Sequence, residues 1–115
     1  MTIIHMLDGQ RLVLALNGDL DLTTAKALTE ALDGLLRHYP LRQVVLDLGE
    51  VSFVDSSGLG VILGRYRRLR SAGRELSLVG VRPAVRAVLE VAGIPSLMPV
   101  VDAHPKSPMT GLSSG

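Results

Sequence analysis

The stretch Val54-Asp55-Ser56-Ser57-Gly58-Leu59-Gly60 follows an apolar run, Gln43 to Leu48, and opens a longer run with helical spacing, Gly58 to Ala72. A short apolar run bounded by turn residues reads as a strand, and apolar residues recurring every three or four positions read as a helix. Two hydroxyls therefore stand where a strand feeds a helix, beside a carboxylate and two glycines. The start of a helix carries unpaired backbone N–H groups and the positive end of its dipole, so negative charge is accepted there. A serine at that place suits the addition and removal of a phosphate. The stretch reads as a switch more than as a catalyst.

Outward from this point the chain alternates strands and helices. Ile3 to Leu7 and Arg11 to Asn17 read as strands joined at Asp8-Gly9, a pair that tolerates the positive φ of a tight hairpin. Leu12, Leu14 and Leu16 alternate with Val13 and Ala15, apolar on both faces, which predicts an interior strand. Gly18 to Leu22 is a loop in which Asp21 or Thr23 can cap the helix that follows. Leu28, Ala31, Leu32, Leu35 and Tyr39 mark that helix's inner face, and Lys26/Glu30 and Asp33/Arg37 are opposite charges four apart on its outer face. Gly34 weakens its interior by about 1 kcal/mol relative to Ala, and Pro40 ends it.

Gln43 to Leu48 predicts a second interior strand, and Gly49 to Val54 a loop whose Val51 and Phe53 are expected to fold back on the core. Leu59, Ile62, Leu63, Tyr66 and Leu69 form the stripe of the next helix, with Gly73 as its stop. Glu75 to Val79 is a further strand. Pro83 suits the first turn of a third helix with Val85, Val88, Leu89 and Ala92 inward, and Gly93-Ile94-Pro95 closes it in a Schellman ending. Leu97 to Asp102 predicts a last short strand.

The order ββαβαβαβ implies an α/β domain: a mixed, mostly parallel sheet of about five strands flanked by helices. Functional loops of such sheets gather beyond the carboxyl ends of the strands, so Gly18–Thr24 and Gly49–Gly58 are expected to share one edge. Residues 1–102 form the domain. Residues 103–115, rich in Pro, Ser and Gly, are expected to be a flexible tail.

Composition narrows the function classes. The chain of 115 residues is 47% hydrophobic, enough for one core and too apolar for a disordered segment. No stretch reaches the roughly 20 apolar residues of a bilayer span, and Met1 to Gln10 lacks the pattern of a signal peptide. With no cysteine there is no thiolate–metal or disulfide framework. A net charge of +1 and 3% aromatics make a poor single-strand nucleic-acid binder. Cytoplasmic location is expected, with no membrane and no direct nucleic-acid partner.

Each site residue has a plain reading beside its functional one. Ser57 is the expected N-cap of the helix from Gly58. Asp55 either satisfies loop N–H groups or orients Ser56. Asp21 is a cap or a contact. Gly60 and Gly64 fall away from the apolar stripe, near Val61, Arg67, Arg68 and Ser71, and make a smooth strip for a neighbouring helix or for another protein. Arg65, Arg67, Arg68, Arg70 and Arg74 form a basic cluster, either a solvated face or a surface that steers an acidic partner.

The element order, Gly18-Asp19-Leu20-Asp21 and above all Asp55-Ser56-Ser57-Gly58-Leu59-Gly60-Val61-Ile62-Leu63-Gly64-Arg65-Tyr66 resemble the STAS-domain anti-sigma factor antagonists, the sporulation members most of all. The resemblance runs from about Thr2 to Val101. It implies partner switching: the unphosphorylated protein binds an anti-sigma factor that is also a serine kinase, and so frees a sigma factor. Phosphorylation separates the pair, and a serine phosphatase resets it. Carried across by the motif, the phosphoacceptor is Ser56. The partner surface is expected to take in Asp21, Asp55, Ser57, Gly58, Gly60, Val61, Gly64, Arg67 and Arg68. Family members finish with a further helix, whereas Ala103 to Gly115 holds two prolines and two glycines, so a full final helix is not expected.

An enzyme is the competing class. A serine-hydrolase elbow needs Gly-x-Ser-x-Gly, and the first glycine is missing from Val54-Asp55-Ser56-Ser57-Gly58. His5, His38 and His104 fall in a strand, a helix end and the tail, none with a route to Ser56. Neither a Walker loop nor a histidine–metal spacing is present, so no catalytic residue, cofactor or metal is expected. A second competitor keeps the fold and changes the task, to a scaffold of a stress-signalling assembly or of a membrane lipid-transport complex.

Overall fold

A computed structural model describes residues 1–103. The chain runs β1 (Thr2–Asp8), β2 (Arg11–Asn17), α1 (Leu22–His38), β3 (Gln43–Glu50), α2 (Ser56–Ser71), β4 (Glu75–Val81), α3 (Pro83–Val91), a 3₁₀ turn (Ile94–Ser96) and β5 (Val100–Asp102). The α/β class and the ββαβαβαβ order are those expected. Of the expected tail, only Ala103 lies among the described residues.

Strands follow one another across the sheet in chain order, β1-β2-β3-β4-β5. β1 is antiparallel to β2 and every later pair is parallel. The hairpin closes where Asp8 faces Arg11, and Gly9 supplies the turn's positive φ of 62°. Each parallel crossover steps to the next strand in the same direction. Right-handed crossovers that all step one way place their helices on one face of the sheet.

The core obeys that rule. Leu12, Leu14 and Leu16 of β2, Val44, Leu46 and Leu48 of β3, and Leu76 and Leu78 of β4 point to one side. They form one cluster with Leu28 and Leu32 of α1, Ile62 and Leu69 of α2, and Val85 and Leu89 of α3. Val13, Ala15, Val45 and Val79 alternate to the other side, where Ile4 and Met6 of β1 face water at 60% and 61% exposure. The interior strands are thus interior in pairing, and among the described residues helices cover one face only.

Helix ends follow from local chemistry. α2 stops in a Schellman motif: Gly73 sits at φ 74°, its N–H donates to Arg70 O, and Arg74 N–H donates to Leu69 O. Gly93, at φ 75°, stops α3 with its N–H donating to Glu90 O, but the expected Schellman ending is incomplete: Ile94 begins the 3₁₀ turn and its N–H makes no bond to Leu89 O. β5 is shorter than the expected Leu97 to Asp102. The turn occupies Ile94–Ser96, and Pro99, without an N–H, only accepts from Leu78 N–H. Arg86 then ties α3 to β5 through Asp102 and through Val100 O at 2.9 Å.

Neither expected charge pair of α1 forms, and among the described residues Lys26 and Glu30 make no salt bridge. Asp33 bonds not to Arg37 on its own helix but across to Arg65 Nη1 of α2, at 2.5 Å, with side chains 26% and 17% exposed. Facing helices offer a less solvated partner than the i+4 neighbour does. Arg65 therefore leaves the expected basic cluster and becomes a strut between α1 and α2. Removing either partner alone should cost about 1–3 kcal/mol, because the other charge is left half-buried and unpaired. The double variant D33A/R65A should cost less than the sum, as urea denaturation of all four proteins would measure.

Candidate functional site

Two loops meet at the carboxyl edge of the sheet. Leu20 of the β2–α1 loop and Val54 of the β3–α2 loop form an isolated parallel bridge, with Leu20 N–H donating to Phe53 O at 2.9 Å and Asp55 N–H to Leu20 O at 3.2 Å. Gly18 N–H donates to Glu50 O, and Ser52 Oγ to Asp19 Oδ1 at 3.2 Å. The bridge puts Asp21 and Asp55 in register. The loops share one edge, as expected.

Both aspartates cap helices. Asp21 Oδ1 accepts Thr24 N–H at 3.1 Å, and Thr24 Oγ1 accepts Asp21 N–H at 2.8 Å, a reciprocal capping box. Thr24 Oγ1 also donates to Asp19 O at 2.7 Å, so one threonine holds both the cap and the loop before it. The Asp21-x-x-Thr24 spacing was the available signal for this residue, which sequence reasoning passed over. The Thr24 backbone N–H is the largest cause holding the Asp21 carboxyl below its ordinary range.

At α2 the cap is Asp55, not Ser57. Asp55 Oδ1 accepts Gly58 N–H at 3.0 Å, and Leu59 N–H bonds to Asp55 O. Aspartate is as good a cap as serine, and the helix starts one residue after it. Ser56 is consequently the first helical residue and exposed, while Ser57 is the second and half-buried. Ser56 Oγ stands beside the open N–H groups of the first turn, where added negative charge finds donors.

Gly58 explains how the loops come so close. A Cβ there would lie 2.5 Å from Leu20 O and 2.9 Å from both Leu20 Cγ and Val54 Cγ1. The residue is buried at the junction of α2 with the bridge. Gly60 and Gly64 differ: a Cβ at either would meet nothing within 4 Å. Among the described residues no neighbouring helix packs on them, and the strip is open. At 100° per residue, Ser56, Gly60, Gly64 and Arg67 fall on one side of α2, so the strip leads away from Ser56 along the helix. Arg67 and Arg68 are exposed at its far end, about 15–18 Å along the axis from Ser56. Val61 is off the strip, partly buried against the core.

Phe53 corrects another expectation. Val51 and Val54 are buried at 0% and 2%, but Phe53 is 52% exposed. Its carbonyl is held by Leu20 N–H, and with Val51 and Val54 both turned inward the loop has no further inward position for it. His5 lies in β1, and His38 Nδ1 contacts Gly34 O at 2.8 Å, so neither approaches Ser56; His104 lies outside the described residues. Among the described residues no group of three or more His, Cys, Asp and Glu side chains could hold a metal ion.

This arrangement is a known one. Residues 6–99 match the family described as "Mlab, STAS domain". The chain is 36% identical over 91 residues to the anti-sigma F factor antagonist of Paenibacillus polymyxa, covering 79% of this chain and 78% of that protein. It is 34% identical over 83 residues to the anti-sigma-B factor antagonist of Staphylococcus aureus, covering 72% and 76%. In fold it is similar to the anti-sigma factor antagonist SpoIIAA in its unphosphorylated form, with TM-score 0.75, 23% identity and coverage of 95% of this chain and 92% of that one. The Bacillus cell fate determinant SpoIIAA in its phosphorylated form gives TM-score 0.68, 22% identity and coverage of 95% and 96%. The chain belongs to the STAS-domain family. Within it, the chain groups with the anti-sigma factor antagonists.

Asp55→Ala should lower stability by about 1 kcal/mol, and Ser57→Ala by less than about 0.5 kcal/mol, measured by urea unfolding. Gly58→Ala should cost about 1–3 kcal/mol through overpacking against Leu20. Asp21 sets a pH dependence: its folded pKa lies below its unfolded one, so the cap's contribution is complete above the unfolded value. That contribution fades as pH falls through the folded value. Asp21→Asn, which keeps an acceptor without the titration, should show a shallower loss of stability on acidification.

Proposed function

We propose that Ser56 is the phosphoacceptor of this antagonist, and that its unphosphorylated form binds an anti-sigma factor with serine kinase activity, freeing a sigma factor. The observation that carries the reading is the place of Ser56: exposed, first in α2, and beside an aspartate whose Oδ1 is engaged by Gly58 N–H. In the transfer, Ser56 Oγ attacks the γ-phosphorus of ATP and the bond to the β–γ bridging oxygen breaks. The hydroxyl proton passes to a base on the kinase, and ADP leaves. A serine phosphatase returns the hydroxyl by hydrolysis. The chain supplies the nucleophile and its placement, with no catalytic step of its own.

Separation follows from charge and hydration. A phosphoserine carries about −1.5 to −2 charge at neutral pH. Asp19, Asp21 and Asp55 already occupy this edge, and among the described residues none of them pairs with a cation. Free in solution, the phosphate is accommodated by water and the first-turn N–H groups. In the complex it lies against surfaces fitted to a hydroxyl and next to the phosphates of the spent nucleotide, where desolvation and like-charge repulsion oppose it. The switch is therefore local, blocking contact without refolding the domain. The open strip Gly60, Gly64, Arg67 extends the contact surface from Ser56, with Asp21, Asp55, Ser57 and Gly58 shaping its start and Val61 and Arg68 at its border. The setting is the cytoplasm, where ATP, kinase and phosphatase meet.

Phosphosite mapping by mass spectrometry, after incubation with ATP and the anti-sigma kinase of the same genome, tests this reading. Phosphate is expected on Ser56 and absent from Ser56→Ala, with backbone amide spectra unchanged beyond the loops around Ser56. Phosphate on Ser57 alone would move the acceptor. No phosphate with an active kinase would favour a scaffold role.

A further inference from the structure

We propose that Phe53 and Leu22 are the apolar anchors with which the unphosphorylated chain holds its anti-sigma factor, seated in an apolar recess of the partner whose rim carries cationic side chains. The inference rests on the reading that the anti-sigma factor docks over Ser56.

Both residues are placed outward by the fold itself. Phe53 is the only phenylalanine of the chain and is 52% exposed. Its backbone is pinned by the Leu20 bridge, and the buried Val51 and Val54 on either side leave its ring no inward position. Leu22 is the first residue of α1, directly after the capping Asp21, and is 74% exposed. Capping fixes Asp21 and Thr24 against the loop, so Leu22 cannot rotate into the core without breaking the box. A leucine and a phenylalanine therefore stand in water on the two loops that are bridged beside Ser56.

Rigid apolar groups on a pinned backbone suit binding, because little freedom is lost when they are covered. Interfaces take most of their affinity from a few such groups near the centre, with a polar rim that keeps water out. Here the rim is acidic. Asp19, Asp21 and Asp55 lie on the same two loops and Glu50 at the end of β3, and among the described residues the one cation paired with any of them is Arg82, 3.9 Å from Glu50. A partner that buries Phe53 and Leu22 must face these carboxylates, so its complementary surface is apolar at the centre and cationic at the edge. Among the more exposed apolar residues away from this edge are Met6, on the sheet face opposite the helices, and Val91 at the end of α3.

The test is the dissociation constant of the full, unphosphorylated chain for the anti-sigma factor of the same genome, by calorimetry. Phe53→Ala is expected to weaken binding by about 30-fold or more and Leu22→Ala by about 10-fold. Met6→Ala and Val91→Ala, exposed at 61% and 92%, should stay within about two-fold of the parent. All four positions are exposed, so thermal unfolding should be nearly unchanged. The association rate should fall as salt is raised, and fall less in Asp19→Asn. Phe53 and Leu22 variants that bind like the parent, while phosphorylation of Ser56 still abolishes binding, would overturn the anchors and leave the docking site standing. Loss at Met6 in their place would move the interface to the sheet face. A parent chain that neither binds nor is phosphorylated would overturn both the anchors and the function on which they rest.

Discussion

The missing side chain of Gly58 is the constraint on which the carboxyl edge depends. A Cβ at that position would stand 2.5 Å from the carbonyl oxygen of Leu20, a distance no carbon can hold. Without it, the start of α2 lies directly on the β2–α1 loop, and Leu20 can bridge Val54. The bridge in turn brings the two capping aspartates into register and aligns the starts of two helices along one edge. Ser56 is exposed because Asp55, not a serine, takes the cap and the helix begins one residue later. The acidic, donor-rich setting of that hydroxyl is thus a consequence of packing between loops and not of any single residue near it.

A second constraint is directional. Every parallel crossover steps to the next strand on the same side, so the helices and the single core cluster share one face of the sheet. The carboxyl ends of β2 and β3 are then adjacent, and their loops must meet. The strut from Asp33 to Arg65 joins α1 to α2, the two helices whose starts form the edge. Bulges at the same end, near Asn17 in β2 and Gly80 in β4, bend the strands where the loops depart. Arg82 Nε holds Gly49 O there, at 2.8 Å, so the loop to Ser56 is tied from both flanks of β3.

The parts legible in the sequence were those set by short-range chemistry. Alternation of Leu12, Leu14 and Leu16 announced β2, the Gly73 and Gly93 stops ended their helices where glycine is needed for positive φ, and Pro83 opened α3. Ser56 at a strand-to-helix turn was equally visible. What escaped was set by contacts between elements. Asp55 and Ser57 are comparable caps in isolation, and only the geometry at Leu20 decides between them. Asp33 had a partner four residues away that propensity favoured, but α2 offered a drier one. Phe53 read as core by hydrophobicity, yet Val51 and Val54 had already taken the inward positions of its loop. Which face of the sheet the three helices cover follows from strand order, which periodicity does not carry.

If Ser56 is phosphorylated as proposed, the same contrasts make the switch a local one. A conformational switch needs an element with two packings of similar free energy. The edge around Ser56 has little room for a second one: Gly58 is wedged against Leu20 and Val54, Asp21 and Thr24 cap each other reciprocally, and Val51 and Val54 anchor the loop in the core. A phosphate added to an exposed first-turn hydroxyl does not need to break any of these bonds. Its effect must then appear where the edge meets another surface. Rigidity there also serves recognition, because a partner that fits the fixed array of hydroxyl, carboxylates and exposed apolar groups has no alternative arrangement to accept once the hydroxyl is replaced. Sensitivity to one modified atom is what a stiff edge provides and a mobile one would blur.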